Sequence, residues 1–255
     1  DQFDYYRRLV LQAQTEIADT YYLQGKFAEA ADFFTRLLKQ NSTELNIAVI
    51  RYKLLRCLSI LGRHPQTVAL AEEYVENHPD TAELPEVRFL LASSLKAMGR
   101  NRESMQQVLK LLAAQSEFAT ANPEIWNYWK QKAGNDIAND LYRDGDYLHA
   151  LEIYLALAEI SASPNWQLPV LYQIGLVYEH LNQRQKAIER YDVILGREKE
   201  LAGPAGTPGL KALVDMARWR KEHLTWLDKA MVTAQALKLA PPPAATTNAT
   251  LRPPL

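Results

Sequence analysis

Residues 137–157 read IANDLYRDGDYLHALEIYLAL, and the fold follows from how this stretch is built. Ile137, Ala138 and Leu141 stand three and four apart, the spacing of one helix face. Gly145 then sits among Arg143, Asp144 and Asp146, where a helix can end in the left-handed conformation that glycine adopts at least cost. Tyr147, Ala150, Tyr154 and Leu157 restart the apolar spacing at once. Two amphipathic helices joined by so short a turn lie antiparallel, as a helical hairpin. The small Ala150 lets the two backbones approach closely. The bulky Tyr154 fills the gap to the next hairpin.

The same skeleton recurs along the chain. It reads Ala18, Tyr21, Gly25, Phe27, Ala30, Phe34 and Leu37 in the first copy. A second copy has Leu55, Leu58, Gly62, Ala71, Tyr74 and Pro79, and a third Ala92, Leu95, Gly99, Val108 and Leu111. In a fifth, Gly175, Tyr178, Asn182, Ala187, Tyr191 and Ile194, asparagine takes the turn position, since it tolerates the left-handed conformation. The turn residues fall at 25, 62, 99, 145 and 182, so their steps are 37, 37, 46 and 37. A shared step of 37 with one nine-residue insertion is the mark of a repeat array. Copies two and three depart from the pattern, with His64 and Thr67, or Asn101 and Ser104, where an aromatic and an alanine stand in the first and fourth.

The spacing predicts helices at 3–24, 27–40, 44–61, 65–77, 83–98, 101–115, 123–143, 147–161, 168–181 and 184–200. The insertion is placed at 116–123. Pro65, Pro79, Pro85, Pro123, Pro164 and Pro169 are read as helix starts or connections, where a missing N–H does no harm. The domain reading is a solenoid over 1–202, a Gly/Pro loop at 203–208, a long helix at 209–240, and a Pro-rich tail, extended or disordered, at 241–255. The long helix carries an apolar stripe of Leu210, Leu213, Ala217, Leu224, Leu227, Met231 and Ala234. It is expected to cap the last repeat and to project past it. Trp219 and Trp226, seven apart on a neighbouring face, either widen the buried surface or form a docking surface of their own.

Composition narrows the function classes. Basic and acidic residues number 29 and 30, which argues against a global electrostatic grip on nucleic acid or an anionic membrane. No apolar run approaches membrane-spanning length. Cys57 is the single cysteine, set among Leu54, Leu55, Leu58 and Ile60, and reads as a buried, inert thiol. His64, His78, His149, His180 and His223 fall in no metal-ligand spacing, and no phosphate-cradling or nucleophile motif occurs. The reading is a non-catalytic chain without cofactor or metal. The start at Asp1 points to a removed targeting segment or to a piece of a longer protein. The apolar opening Tyr5, Tyr6 and Leu9, without a polar capping repeat, carries the same expectation of preceding protein.

The skeleton resembles the tetratricopeptide repeat family over roughly residues 5–200. That resemblance implies an all-α, right-handed superhelix of about five hairpins plus a terminal helix. It further implies a scaffold or adaptor holding a protein or peptide in a concave groove lined by the first helix of each hairpin. The implied groove positions are Thr15, Asp19 and Tyr22, then Tyr52, Arg56 and Ser59, then Phe89, Ser93 and Lys96. They continue with Asn135, Asn139 and Tyr142, flanked by Lys132 and Arg143, and end with Tyr172, Leu176 and Glu179. Tyr22, Tyr52, Tyr142 and Tyr172 repeat along one side and offer adaptable contacts. Asn135 and Asn139, one turn apart, suit the backbone of an extended peptide. Members that grip chaperone C-termini need Lys at the Thr15 position and Asn at the Asp19 position. Asp19 repels a carboxylate, so that specificity is not expected. The repeat style is similar to bacterial envelope members, the outer-membrane assembly lipoproteins and periplasmic cell-division coordinators, which implies a periplasmic or envelope location, with the cytoplasm as the alternative that a single cysteine equally fits. A structural subunit docked through its terminal helix or outer face is the other reading.

Overall fold

The computed structural model describes residues 2–40, 42–114, 123–201 and 207–239. Among these residues there are eleven α-helices and no strand. They are α1 (Gln2–Leu23), α2 (Phe27–Lys39), α3 (Ile47–Ile60), α4 (His64–Asn77), α5 (Leu84–Ala97) and α6 (Asn101–Ala113). Then follow α7 (Pro123–Arg143), α8 (Tyr147–Ala158), α9 (Pro164–His180), α10 (Arg184–Gly196), a 3-10 turn (Glu198–Leu201) and α11 (Pro208–Leu239). The first ten pair into five hairpins, and each helix packs chiefly on its chain neighbours, as in a solenoid. α11 rests on both α9 and α10, the place of a first helix in a sixth hairpin.

All five turn residues adopt the left-handed backbone: Gly25 (φ 74°), Gly62 (66°), Gly99 (75°), Gly145 (82°) and Asn182 (56°). The residue after each turn donates its N–H five residues back. Lys26 reaches the Tyr21 carbonyl at 2.9 Å, Arg63 that of Leu58 at 2.9 Å, and Gln183 that of Tyr178 at 2.8 Å. This closes the open carbonyls of each first helix in one way throughout.

Inside each hairpin the small residue does what its size allows. Ala30, Ala150 and Ala187 are fully buried, and Phe34, Tyr154 and Tyr191 fill the space beyond them. Thr67 and Ser104 are equally buried in the two variant copies. Their hydroxyls are satisfied locally, Thr67 Oγ1 donating to the Arg63 carbonyl (3.1 Å) and Ser104 Oγ to the Ala92 carbonyl (2.7 Å). In the second hairpin the large residue moves one turn on, from the position of Ala71 to that of Tyr74, which is fully buried. A large ring is thus buried in the second hairpin too, one turn later than the sequence pattern places it. Burying each such ring contributes about 1.5–3 kcal/mol.

Several boundaries differ from the sequence expectation. The ninth helix starts at Pro164, not 168, so Pro169 lies inside it rather than at its start. The bond Pro169 cannot make would end on Asn165 in the first turn, which is exposed and so open to water. The third helix starts at Ile47, because Asn46 caps it by accepting the Val49 N–H at 3.2 Å. The helices expected to end at 115, 161 and 200 stop at Ala113, Ala158 and Gly196, and the last gives way to the 3-10 turn. α11 starts at Pro208, one residue into the expected loop. Along α11, Leu210, Leu213, Val214, Ala217 and Leu224 are buried, but Met231 and Ala234 are exposed, so its last turns project past α10. The insertion at 116–122, most of the Gly/Pro stretch and the 241–255 tail lie outside the described residues.

Candidate functional site

The first helices α1, α3, α5, α7, α9 and α11 carry a row of polar and aromatic side chains, and most of these bridge to the next first helix. Between α1 and α3, Lys53 meets Asp19 at 2.7 Å. Between α3 and α5, Tyr52 donates to Glu86 at 2.7 Å and Arg56 Nε lies 3.3 Å from the same carboxylate. Arg56 also stands over the rings of Tyr22 and Tyr52, at 5.8 and 5.9 Å. Burial and the Glu86 carboxylate push the Tyr52 hydroxyl well above the usual tyrosine range, so it acts as a donor. Between α5 and α7, Lys96 meets Asp144 at 2.5 Å, and Phe89 packs against Trp129 with centroids 5.4 Å apart. Lys132 covers Phe89 at 5.3 Å and pairs with Asp136 at 2.8 Å.

From α7 to α9 the bridge is aromatic. Tyr142 meets His180 edge-on at 5.3 Å, and Tyr147 stacks on His180 at 4.5 Å. From α9 to α11, Arg220 pairs with Glu179 at 2.9 Å and donates to the Tyr172 hydroxyl at 3.3 Å. Tyr191 donates to the other Glu179 oxygen at 2.5 Å. Desolvation and that carboxylate drive the Tyr191 pKa far upward, so its proton stays on.

Two clefts interrupt this wall. One, of about 530 Å³, separates α1 from α3 over an apolar floor of Leu11, Leu45, Val49 and Ile50, with Arg8, Glu16, Asp19, Glu44 and Lys53 at its rim. The other, of about 370 Å³, lies between α5 and α7 and is lined by Phe89, Ser93, Lys96, Asp136, Ile137, Asn139, Asp140 and Arg143. Arg143 pairs with Asp140 on the same helix.

The structure therefore gathers five of the expected groove residues, Phe89, Ser93, Lys96, Asn139 and Arg143, at one cleft. Asn135 does not join them. Asn139 is partly engaged, its Oδ1 accepting the Tyr154 hydroxyl at 2.6 Å, which leaves its amide N–H groups facing outward. Tyr22, Tyr52, Arg56, Tyr142 and Tyr172 are half-buried and tied to neighbouring repeats. Glu86, Trp129, Tyr147, His180 and Arg220 were not assigned from sequence. Glu86 stands three residues before Phe89 on α5, so helical spacing alone could have found it. Arg220 was hidden because α11 was read as a cap, without groove positions.

Trp219 and Trp226 are exposed, at 61% and 62%. His223 stacks between them, 5.3 Å from Trp219 with an interplanar angle of 1°, and 6.2 Å from Trp226 at 20°. They do not widen the buried face of α11. Cys57 is fully buried, and desolvation pushes its thiol up to about 11. Among the described residues no group of three or more His, Cys, Asp and Glu could hold a metal ion, and no helix is long and apolar enough to cross a membrane.

Residues 12–44 and 170–198 match the family model described as tetratricopeptide repeat, on the first and fifth hairpins. The chain carries tetratricopeptide repeats. No curated protein matches the sequence. Among solved structures the array is similar to the MamA protein, with 18% identity and a TM-score of 0.51, over 76% of this chain and 94% of that one. It is also similar to a putative kinesin light chain with TPR-like repeats from Podosopora anserina, with 18% identity and a TM-score of 0.45, over 71% and 92% of the two chains. A third is the apo quorum sensor NprR from B. thuringiensis, with 15% identity and a TM-score of 0.48, over 81% and 57%. The likeness to MamA supports the solenoid fold. The tetratricopeptide hairpins are thus present with their turn geometry, their small-residue contacts and a row of first helices whose faces are held together by mutual bridges.

Proposed function

We propose that this protein is a non-catalytic interaction scaffold that holds an extended segment of a partner protein along its first-helix groove. The observation that carries this reading is the α5–α7 cleft, where Phe89 and Ile137 supply apolar surface and Lys96, Asn139 and Arg143 supply donors around it. A side chain entering it finds apolar contact, while the outward amide of Asn139 meets backbone carbonyls. The α1–α3 cleft offers a second anchor with an apolar floor. Lys53, Arg56, Lys96, Lys132, Arg143 and Arg220 all face carboxylates within the protein. Among the described residues these pairs leave no unmatched basic stripe along the groove, which favours a protein over a nucleic acid. The repeat style, with its 37-residue step, is the ground for proposing the bacterial envelope as the setting, to be checked by cell fractionation.

A second reading makes the chain a structural subunit docked through α11. The exposed Trp219–His223–Trp226 stack favours it, since tryptophan dominates binding hot spots. One experiment separates the two. Partners are captured from native extract by wild-type chain, by Ser93→Trp, which fills the α5–α7 cleft, and by Trp219→Ala/Trp226→Ala. Loss with Ser93→Trp alone supports the groove. Loss with the double variant alone transfers the function to α11 and refutes the groove reading.

A further inference from the structure

α11 keeps the register of a first helix. On α3, Ile50, Leu54 and Cys57 are buried against the hairpin before, and Lys53 reaches back to Asp19 of α1. On α9 the same face is Val170, Ile174 and Val177. Ala217, Lys221 and Leu224 repeat that spacing on α11. Ala217 and Leu224 are buried, and Lys221 meets Asp192 of α10 at 2.5 Å. Arg220 then stands where Lys53 stands on α3, and it too reaches back to the previous first helix, to Glu179 at 2.9 Å. In this register Trp219, His223 and Trp226 take the places of Tyr172, Leu176 and Glu179 on α9, and of Tyr52, Arg56 and Ser59 on α3. The stacked rings are a sixth rung of the groove.

Their exposure does not come from an unfilled hairpin. On α9, Leu171, Gly175 and Tyr178 are buried, with Gly175 set against Tyr191 of α10. The matching residues of α11 are Arg218, Glu222 and Thr225. Arg218 is already held by Glu198 and Asp215. A second helix would find nothing apolar to bury on that face, so hairpin packing closes at α11.

We propose that this rung is the C-terminal end of the partner-binding groove and seats a proline-rich stretch of the same partner segment, an inference that rests on the groove reading above. Trp219 and Trp226 are seven residues apart, about 10.5 Å along the helix. One turn of polyproline II spans about 9.3 Å, so prolines three apart each meet one indole. Among the described residues neither indole N–H has a hydrogen-bond partner. An indole N–H only donates, and polyproline II leaves its carbonyls free to accept. Aromatic surfaces recognise such segments in this way. Arg220, which borders the rung, is matched by Glu179, so the rung offers flat rings and two donors rather than charge. The prolines that follow α11 lack the spacing, since Pro241, Pro242 and Pro243 are consecutive and Pro253 and Pro254 adjacent. The occupant is therefore a segment of the partner.

Fluorescence anisotropy of labelled decaproline, titrated with the full chain, tests the assignment. Decaproline binds with a Kd of about 0.1–1 mM, and a Gly/Ser peptide of equal length does not. Trp219→Ala/Trp226→Ala weakens binding at least about tenfold with unchanged circular dichroism, since both side chains are exposed. Ser93→Trp, at the α5–α7 cleft, leaves decaproline binding as it is. The indole N–H signals that shift in NMR are those of Trp219 and Trp226. No binding up to about 5 mM overturns the proposal, as does binding indifferent to the double variant. A full chain with the five prolines after α11 replaced by alanine binds decaproline no better than wild type. A gain of about tenfold or more there makes the protein's own tail the occupant and overturns the partner assignment. The groove reading fails separately. If Ser93→Trp abolishes partner capture and Trp219→Ala/Trp226→Ala does not, the groove stands and the sixth rung falls.

Discussion

Replacing Gly175 with alanine measures how closely α9 and α10 approach. An alanine Cβ there would stand 2.5 Å from Cε1, 2.7 Å from Cζ and 3.0 Å from the hydroxyl of Tyr191. That ring is fully buried and its hydroxyl is held by Glu179 at 2.5 Å, so it cannot swing away as a flexible chain end would. Restoring contact distance moves the ring by about 1 Å, an overpacking cost of about 1–3 kcal/mol. Loss of the Glu179 hydrogen bond adds about 1 kcal/mol. Alanine returns about 1 kcal/mol through helix propensity. The net expectation is a destabilisation of about 1–3 kcal/mol. Gly196, also in a helix, has no atom within 4 Å of an added Cβ, so Gly196→Ala shows the propensity gain alone. Gly134→Ala falls between, since the blocking group is the end of Leu157 at 2.4 Å. Urea unfolding followed by circular dichroism gives the three values. If Gly175→Ala proves as stable as wild type, the ring yields and the packing argument fails.

Three further outcomes are expected. Arg220→Ala removes the bridge from α11 to Glu179 and Tyr172, so hydrogen exchange across α11 quickens while α1–α8 stay protected. Asn182→Gly relieves a non-glycine left-handed residue and stabilises the chain by about 0.5–1 kcal/mol, whereas Asn182→Ala destabilises it, both read by urea titration. Burial, and then the Arg51 guanidinium 3.3 Å away, hold His78 below the ordinary histidine value, so folding favours its neutral form. Its contribution is complete above about pH 6.5 and declines as pH falls through the lowered value. NMR titration reads that midpoint directly, and Arg51→Gln moves it upward.

Much of the fold was legible because the determining physics is local. A left-handed turn residue, a small residue five places on and a large one four beyond it specify a hairpin without reference to anything distant. Thr67 and Ser104 looked like departures, yet their hydroxyls find carbonyls on their own or the facing helix, and the hairpin does not change. Helix ends were less legible. Pro164 read as part of a connection and Pro169 as a start, and only the outward face of Asn165 shows why the second is tolerated inside α9. The candidate site was legible as a set of positions but not as a set of interactions. Sequence placed Arg56 and Lys96 in the groove as partner contacts. Which carboxylate each would meet depended on the spacing of neighbouring hairpins, which no single repeat encodes.

The bridges between successive first helices bear on the elasticity of the array. Its two sides are held by different forces. On one, second helices pack dry against the first helices that follow, through contacts indifferent to salt. On the other, among the described residues, four of the five steps are tied by partly solvated ion pairs, and the α7–α9 step by aromatic rings instead. Salt at 1 M shortens the screening length to about 3 Å and slackens those ties, while the dry side keeps its strength. The superhelix is then a spring whose inner coil loosens with ionic strength and whose outer coil does not. Small-angle scattering should show it opening, with little loss of melting temperature, and with the α7–α9 step as its stiffest segment.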